Sequence, residues 1–133
     1  MQMDLFPYLK SLVDMDRSAV VLCEIGHKII YMNPAAVRRY AKSGGNALLG
    51  KSLLDCHHAI SREKIQKTVR WFQKDRNHNI MYTFYNEKEN KDVYMVALRD
   101  EDGELIGYYE KHEYRNAETA TPYHGIDEVS AYE

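Results

Sequence analysis

The chain has 133 residues, of which 44% are hydrophobic and 29% are charged, and its formal net charge is −2. These values are typical of one soluble globular domain, and they provide no basic surface of the kind that binds nucleic acid. The absence of a bilayer-spanning run, of a signal-peptide pattern and of a disulfide framework predicts a cytoplasmic protein that does not contact a membrane.

The first predicted element is an amphipathic helix that ends near residue 13. Asp4 is a suitable N-cap, and Pro7 is tolerated in the first helical turn. One face of this helix carries a row of apolar side chains: Leu5, Leu9, Leu12 and Val13. Such a stripe predicts a partner surface, either the sheet of the same domain or a second copy of the chain.

Two strands are predicted next, at residues 19–23 and 28–32, with a tight turn at Gly26-His27 between them. Asn33-Pro34 ends the second strand, because Asn is a good N-cap and Pro is pre-set for the first helical position. A short helix is therefore expected at residues 34–40. A flexible loop at residues 43–46 and a short turn closed by Gly50 follow it.

The longest helix is predicted to start at a Ser61 cap and to run to Lys74. Its inner face is expected to consist of Ile65, Thr68, Val69 and Phe72. Three strand-like runs follow at residues 80–85, 92–98 and 104–114, and Asp102-Gly103 is a strong hairpin signal. The predicted fold class is α+β, a five-stranded antiparallel sheet with helices on one face, preceded by the N-terminal helix. The space between sheet and helices would form a small-molecule cavity.

Three motifs, in this order, resemble those of a PAS domain. The strand-to-helix motif of that family resembles Asn33-Pro34-Ala35-Ala36, its Leu/Ile-Gly-Lys/Arg turn resembles Leu48-Leu49-Gly50-Lys51, and its last hairpin resembles residues 100–107. The run Asp55-Cys56-His57 is similar to a bacterial subgroup that carries Asn-Cys-His-Pro, except that His58 replaces the proline. The expected organisation is an N-terminal helix (1–16), a PAS-like domain (17–114) and a loosely ordered tail (115–133).

Tyrosine is frequent in this chain, with 11 Tyr against 3 Phe. A buried Tyr needs a partner for its hydroxyl, so these rings are candidates for the edges of a polar cavity. The alternative is that Tyr simply favours half-exposed sheet faces. The predicted ligand-binding residues are Tyr31, Tyr40, Cys56, His57, Tyr82, Tyr94 and Tyr108. Alternation places Tyr94 with Val96 and Leu98, but it does not say which sheet face lines the cavity.

The densest chemical cluster is Cys56-His57-His58, just before the long helix. A helix N-terminus favours anions, so Cys56 could act as a redox-sensing thiolate, or an imidazole could ligate haem iron. The plainer interpretation is a small buried Cys beside histidines at the helix start. Side chains adjacent in sequence point in different directions, which disfavours a Cys-His catalytic pair. The histidine and cysteine spacing fits no standard zinc site.

The PAS resemblance implies a module of signal transduction that senses a ligand, dimerises, or does both. We therefore expect a non-enzymatic sensor that binds a small molecule and signals through a homodimer contact to a separate signalling protein. A dimerisation module without a ligand, and a redox or haem sensor at Cys56 and His57, are the alternatives. The sequence identifies no cofactor, and haem is kept only as part of the last alternative.

Overall fold

The computed structural model describes residues 3–123. Along this part of the chain run α1 (Phe6–Asp14), β1 (Val21–Glu24), β2 (Ile29–Met32), α2 (Pro34–Arg39), α3 (Ala59–Lys74), β3 (Ile80–Asn86), β4 (Lys91–Arg99) and β5 (Leu105–Tyr114). Short 3₁₀ turns at Ala41–Ser43, Gly45–Leu48 and Leu53–Cys56 occupy the stretch between α2 and α3. The end of the predicted tail, residues 124–133, lies outside the described residues.

The five strands form one antiparallel sheet in the order β2-β1-β5-β4-β3. This confirms the predicted α+β class. The N-terminal hairpin and the C-terminal meander meet where β1 pairs with β5, and this join consists of three residue pairs: Leu22↔Tyr109, Cys23↔Tyr108 and Glu24↔Gly107. The Asp102-Gly103 turn is also confirmed, since Gly103 has a φ of +82° that suits glycine.

The core lies between α3 and one face of the sheet. On α3 the buried residues are Thr68, Val69 and Phe72, which confirms the predicted inner face. On β4, Val93 and Met95 are buried. Because side chains alternate along a strand, Tyr94 lies on the opposite, outer face. The sheet face that carries Val93 and Met95 is therefore the inner one, a choice that alternation in the sequence does not make.

The prediction that Ser61 caps α3 is wrong. The helix begins at Ala59, because the extended backbone of His58 (φ −76°, ψ 171°) already occupies the N-cap position. The Ser61 hydroxyl lies 3.3 Å from Nε2 of His58 instead of capping a backbone N–H. Ser61 is a good capping residue type, but it lies inside the first turn of α3, three positions after the true N-cap His58.

Asn33 is the N-cap of α2, as predicted, and it is fully buried. Its Oδ1 accepts hydrogen bonds from the backbone N–H groups of Ala36 and Val20, both at 2.9 Å. Its Nδ2 donates to the backbone carbonyls of Val13 and Ser18, both at 3.0 Å. One side chain therefore joins the C-terminal end of α1 to β1 and α2.

Helix α1 has no buried residue. Asp4 accepts a hydrogen bond from the backbone N–H of Phe6 at 3.0 Å, although Leu5 occupies the N-cap position. The Tyr31 hydroxyl of β2 donates to the Asp14 carboxylate at the other end of the helix. Within residues 3–123, no helix has the length and apolar character needed to cross a bilayer.

Candidate ligand-binding cavity

A cavity of about 220 Å³ lies against the inner face of the sheet. Its walls come from β1, β2, β5, the end of α2 and the 3₁₀ turns after it. The lining residues are Ala19, Val21, Ile29, Met32, Tyr40, Ser43, Leu48, Leu53, Cys56, His57, Glu110 and His112. Helix α3 supplies none of these residues, because its inner face is already packed in the core.

The cavity has an apolar interior and a polar mouth. Ile29, Met32 and Leu48 are buried, and they line its inner part. Cys56 and His57 also line it but are exposed, so they lie where it opens to solvent. An apolar interior with a few polar groups near its entrance is the usual form of a small-molecule site.

Two ionisable side chains of β5 face the cavity from the sheet. The side chain of His112 is only 6% exposed, and its Nε2 lies 3.3 Å from the half-exposed Glu110 carboxylate. The other ring nitrogen, Nδ1, is buried and has no hydrogen-bond partner among residues 3–123. Buried polar atoms are normally paired, so Nδ1 of His112 is an exception.

The carboxylate of Glu110 also affects its neighbours across the cavity. Burial raises the pKa of the Tyr40 hydroxyl, and the negative charge of Glu110 raises it further. Both side chains line the cavity. The nearby guanidinium of Arg39 acts in the opposite direction and lowers the pKa of Tyr40.

Three of the seven predicted ligand-binding residues line this cavity, namely Tyr40, Cys56 and His57. The interpretation of Cys56 as a buried residue is wrong, because its thiol is exposed at the cavity mouth. The buried cysteine is Cys23, and desolvation raises its pKa to about 12. Cys23 therefore remains a thiol at neutral pH, and it contributes to the core.

Tyr108 is buried in the core and does not line the cavity. Its hydroxyl lies 2.8 Å from Nδ1 of His27, and the two rings meet edge to face. Burial raises the pKa of the Tyr108 hydroxyl and lowers that of the His27 imidazole. His27 and Tyr108 are each other's hydrogen-bond partner, and Tyr108 pairs with Cys23 where β1 meets β5, so the pair has a structural role.

The remaining three predicted residues, Tyr31, Tyr82 and Tyr94, are not brought to this cavity. Tyr82 and Tyr94 are paired across β3 and β4 on the outer face, with ring centroids 5.3 Å apart. Tyr31 pairs with Leu22 of β1 on that same face. The strand assignment of these tyrosines is correct, but their hydroxyls lie outside the cavity. The hydroxyl of Tyr31 bonds to Asp14 of α1, that of Tyr82 to Asp92 and that of Tyr94 to Arg115.

The sequence prediction missed Glu110, His112 and Ser43 as cavity residues. For the first two a signal existed, because they follow Tyr108 at alternate positions on one strand. Because Tyr108 faces the core, Glu110 and His112 must point to the same side of the sheet. Ser43 gave no signal, since it lies in a loop whose position depends on packing against α2.

The cavity residues do not fit a metal ion or haem. Within the described chain, no three His, Cys, Asp or Glu side chains are grouped closely enough to hold a metal ion. The cavity, at about 220 Å³, is smaller than the roughly 300–1,000 Å³ of pockets for drug-sized ligands. Haem is larger than such a space, so the cavity in this form does not fit it.

No protein-family model matches the sequence, and no curated protein is significantly similar to it. Solved structures do match. A PAS domain from Colwellia psychrerythraea aligns with a TM-score of 0.62 at 14% identity, covering 84% of this chain and 98% of that one. The PAS domain of BvgS from Bordetella pertussis gives 0.58 at 13% identity, covering 86% and 89%.

A sensory box sensor histidine kinase from Vibrio cholerae gives a TM-score of 0.55 at 15% identity, covering 81% of this chain and 89% of that one. Identities this low establish the fold alone. The strand order, the helical segment over the inner face and these structural matches agree with the order of the three sequence motifs. The chain therefore has the fold of a PAS domain.

Proposed function

We propose that this chain is a non-enzymatic sensory module that binds a small molecule in the 220 Å³ cavity and transmits its occupancy to α1. The cavity itself is the observation that carries the proposal. An apolar cavity of about 150 Å³ is enough to bind benzene. A ligand of one ring, or of a few carbons with one polar group, is therefore the right size.

The proposed route from the cavity to α1 runs through β2. Ile29 and Met32 of this strand line the cavity. Tyr31, between them, binds Asp14 of α1, and Asn33, directly after the strand, binds the carbonyl of Val13. A ligand that changes the position of β2 would thus change the position of α1, which is how differential binding shifts a conformational equilibrium.

A thermal-shift screen of metabolites of this size tests the proposal. We expect a compound present at about 100 times its Kd to stabilise the protein by roughly 2.7 kcal/mol, which raises the melting temperature by several degrees. The shift should disappear in Ala19→Leu, because the added carbons would occupy the cavity that Ala19 lines.

The matched control is Ala59→Leu, the same change at an exposed position on α3. It should keep the ligand response of the parent protein. If no compound stabilises the parent, or if the stabilisation persists in Ala19→Leu, then the cavity is not the sensory site. The dimerisation module without a ligand would then be favoured.

Signalling through a homodimer is the second part of the proposal, and α1 supports it. Leu9 and Leu12 are 59% and 72% exposed. Leu9 also lines an open apolar groove between α1 and the outer face of the sheet, together with Leu22 and Tyr31. A helix with apolar side chains exposed beside an apolar groove is suited to pack against the same surface of a second copy.

We expect the protein to have about twice the chain's mass of 15.6 kDa by light scattering, and the variant Leu9→Lys/Leu12→Lys to be monomeric. Burying a leucine contributes about 1.5–3 kcal/mol, and a lysine at the same place adds a charge that must be desolvated. Ile60→Lys, at a residue 64% exposed on α3, is the control and should remain dimeric. A dimer that survives the double substitution would exclude α1 as the contact.

A redox or haem sensor at Cys56 and His57 is not favoured by a specific observation. Both residues line the cavity mouth, but the space is too small for haem. The cytoplasmic location and a separate signalling protein stay predictions from the sequence.

A further inference from the structure

Two of the polar side chains that line the cavity, Glu110 and His112, belong to β5. Glu110 and His112 are two positions apart on this strand, so their side chains are on the same face. Both line the cavity, and Nε2 of His112 lies 3.3 Å from the Glu110 carboxylate. The carboxylate and the imidazole therefore act as one unit, and the identity of the ligand depends on what this unit can accept or donate.

A neutral imidazole has one N–H donor and one acceptor nitrogen. When the N–H is on Nε2 it donates to Glu110, and Nδ1 is then a hydrogen-bond acceptor. This Nδ1 is buried and without a partner in the described part of the chain. Because this atom has almost no accessible surface, it does not itself face the cavity, and the hydrogen-bond acceptor available to a ligand is the Glu110 carboxylate.

The charge of the cavity points in the same direction. Glu110 is an acidic lining residue, and none of the residues that line the cavity between positions 3 and 123 is Lys or Arg. A ligand carboxylate would face the carboxylate of Glu110, whereas an ammonium group would form a charge-assisted hydrogen bond with it. The apolar residues Ile29, Met32 and Leu48 would contact the hydrocarbon part of the ligand.

We propose that the cavity binds a small primary amine, with its hydrocarbon part against Ile29, Met32 and Leu48 and its ammonium group at the Glu110 carboxylate. This inference rests on the proposed sensory function and adds the chemical class of the ligand. Glu110 and His112 are specificity-determining residues in this proposal.

Three compounds with one benzene ring and different polar groups test it: benzylamine, benzyl alcohol and benzoate. Titration calorimetry on the full chain should give a Kd for benzylamine about tenfold or more below that for benzoate, with benzyl alcohol between them. In Glu110→Gln, which keeps the shape of the side chain but removes its charge, the ratio between amine and carboxylate should fall to about one.

The matched control is Glu113→Gln. Glu113 is on the same strand but faces the outer side, where it pairs with Lys111 and Arg115. This variant should keep the amine preference, and NMR signals of the His112 ring should shift when benzylamine is added. If benzoate or benzyl alcohol binds as tightly as benzylamine, the amine assignment is overturned while the ligand-binding function stands. If none of the three binds, the amine assignment is overturned, and the ligand-binding function is decided separately by the thermal-shift screen.

Discussion

Replacing Gly107 with Ala is expected to separate β1 from β5 and to cost about 3 kcal/mol or more, at the upper end of overpacking effects. A Cβ at this position would lie 2.1 Å from the carbonyl oxygen of Cys23. That oxygen belongs to the backbone of the neighbouring strand, so it cannot turn away as a side chain can. Since domains of this kind are stable by about 5–15 kcal/mol, urea unfolding followed by circular dichroism will detect the loss.

Gly26→Ala is the control for this substitution. The nearest atom to its added Cβ would be a carboxylate oxygen of Glu24, at 2.9 Å, which is the far end of a flexible side chain. We expect a loss within about 1 kcal/mol, typical of a surface substitution away from special features. If Gly107→Ala unfolds at the same urea concentration as the parent, the described register of β1 against β5 is wrong.

Asn33→Ala is expected to have the second largest effect, a loss of about 3 kcal/mol. Alanine removes the acceptor of two backbone N–H groups and the donor to the carbonyls of Val13 and Ser18. Each buried polar group left unpaired costs about 1–3 kcal/mol, and part of the carbonyl loss is recovered by water. Urea unfolding measures the total.

Hydrogen exchange shows which of the two helices, α1 or α3, loses stability in Asn33→Ala. The amides of α1 should lose more protection than those of α3, because Asn33 is bonded to the end of α1 and does not contact α3 through these hydrogen bonds. Asn46→Ala, at an exposed asparagine, is the control and should leave both unchanged. Equal loss of protection in α1 and α3 would show that Asn33 stabilises the domain as a whole and does not specifically hold α1.

The elements that sequence predicted well are those fixed by local chemistry. Asn33-Pro34 defined the start of α2 because capping and the proline φ act within three residues. Asp102-Gly103 defined the last turn in the same way. The buried side of α3 followed from its helical periodicity. The prediction that Ser61 caps α3 is wrong because several residues near the start of a helix can be its N-cap. The extended backbone of His58 determines which of them is.

The candidate site was predicted less well because it depends on which side of each strand faces the helices. Tyr82 and Tyr94 were assigned to strands correctly, yet alternation leaves two equivalent choices until one position is known to be buried. The same ambiguity concealed Glu110 and His112. Cys56 and His57 could be found because a motif marked them, and their place at the cavity mouth was set by the loops that follow α2.

The strand order also determines when the sheet can form during synthesis. In the chain, β2, β3 and β4 lie between β1 and its neighbour β5, which is the last strand within residues 3–123. Until residues 107–109 have been made, Leu22, Cys23 and Glu24 lack the strand with which they pair. Contacts between such distant segments form slowly, because a long loop must close first. The N-terminal hairpin is therefore the part of a nascent chain most exposed to aggregation.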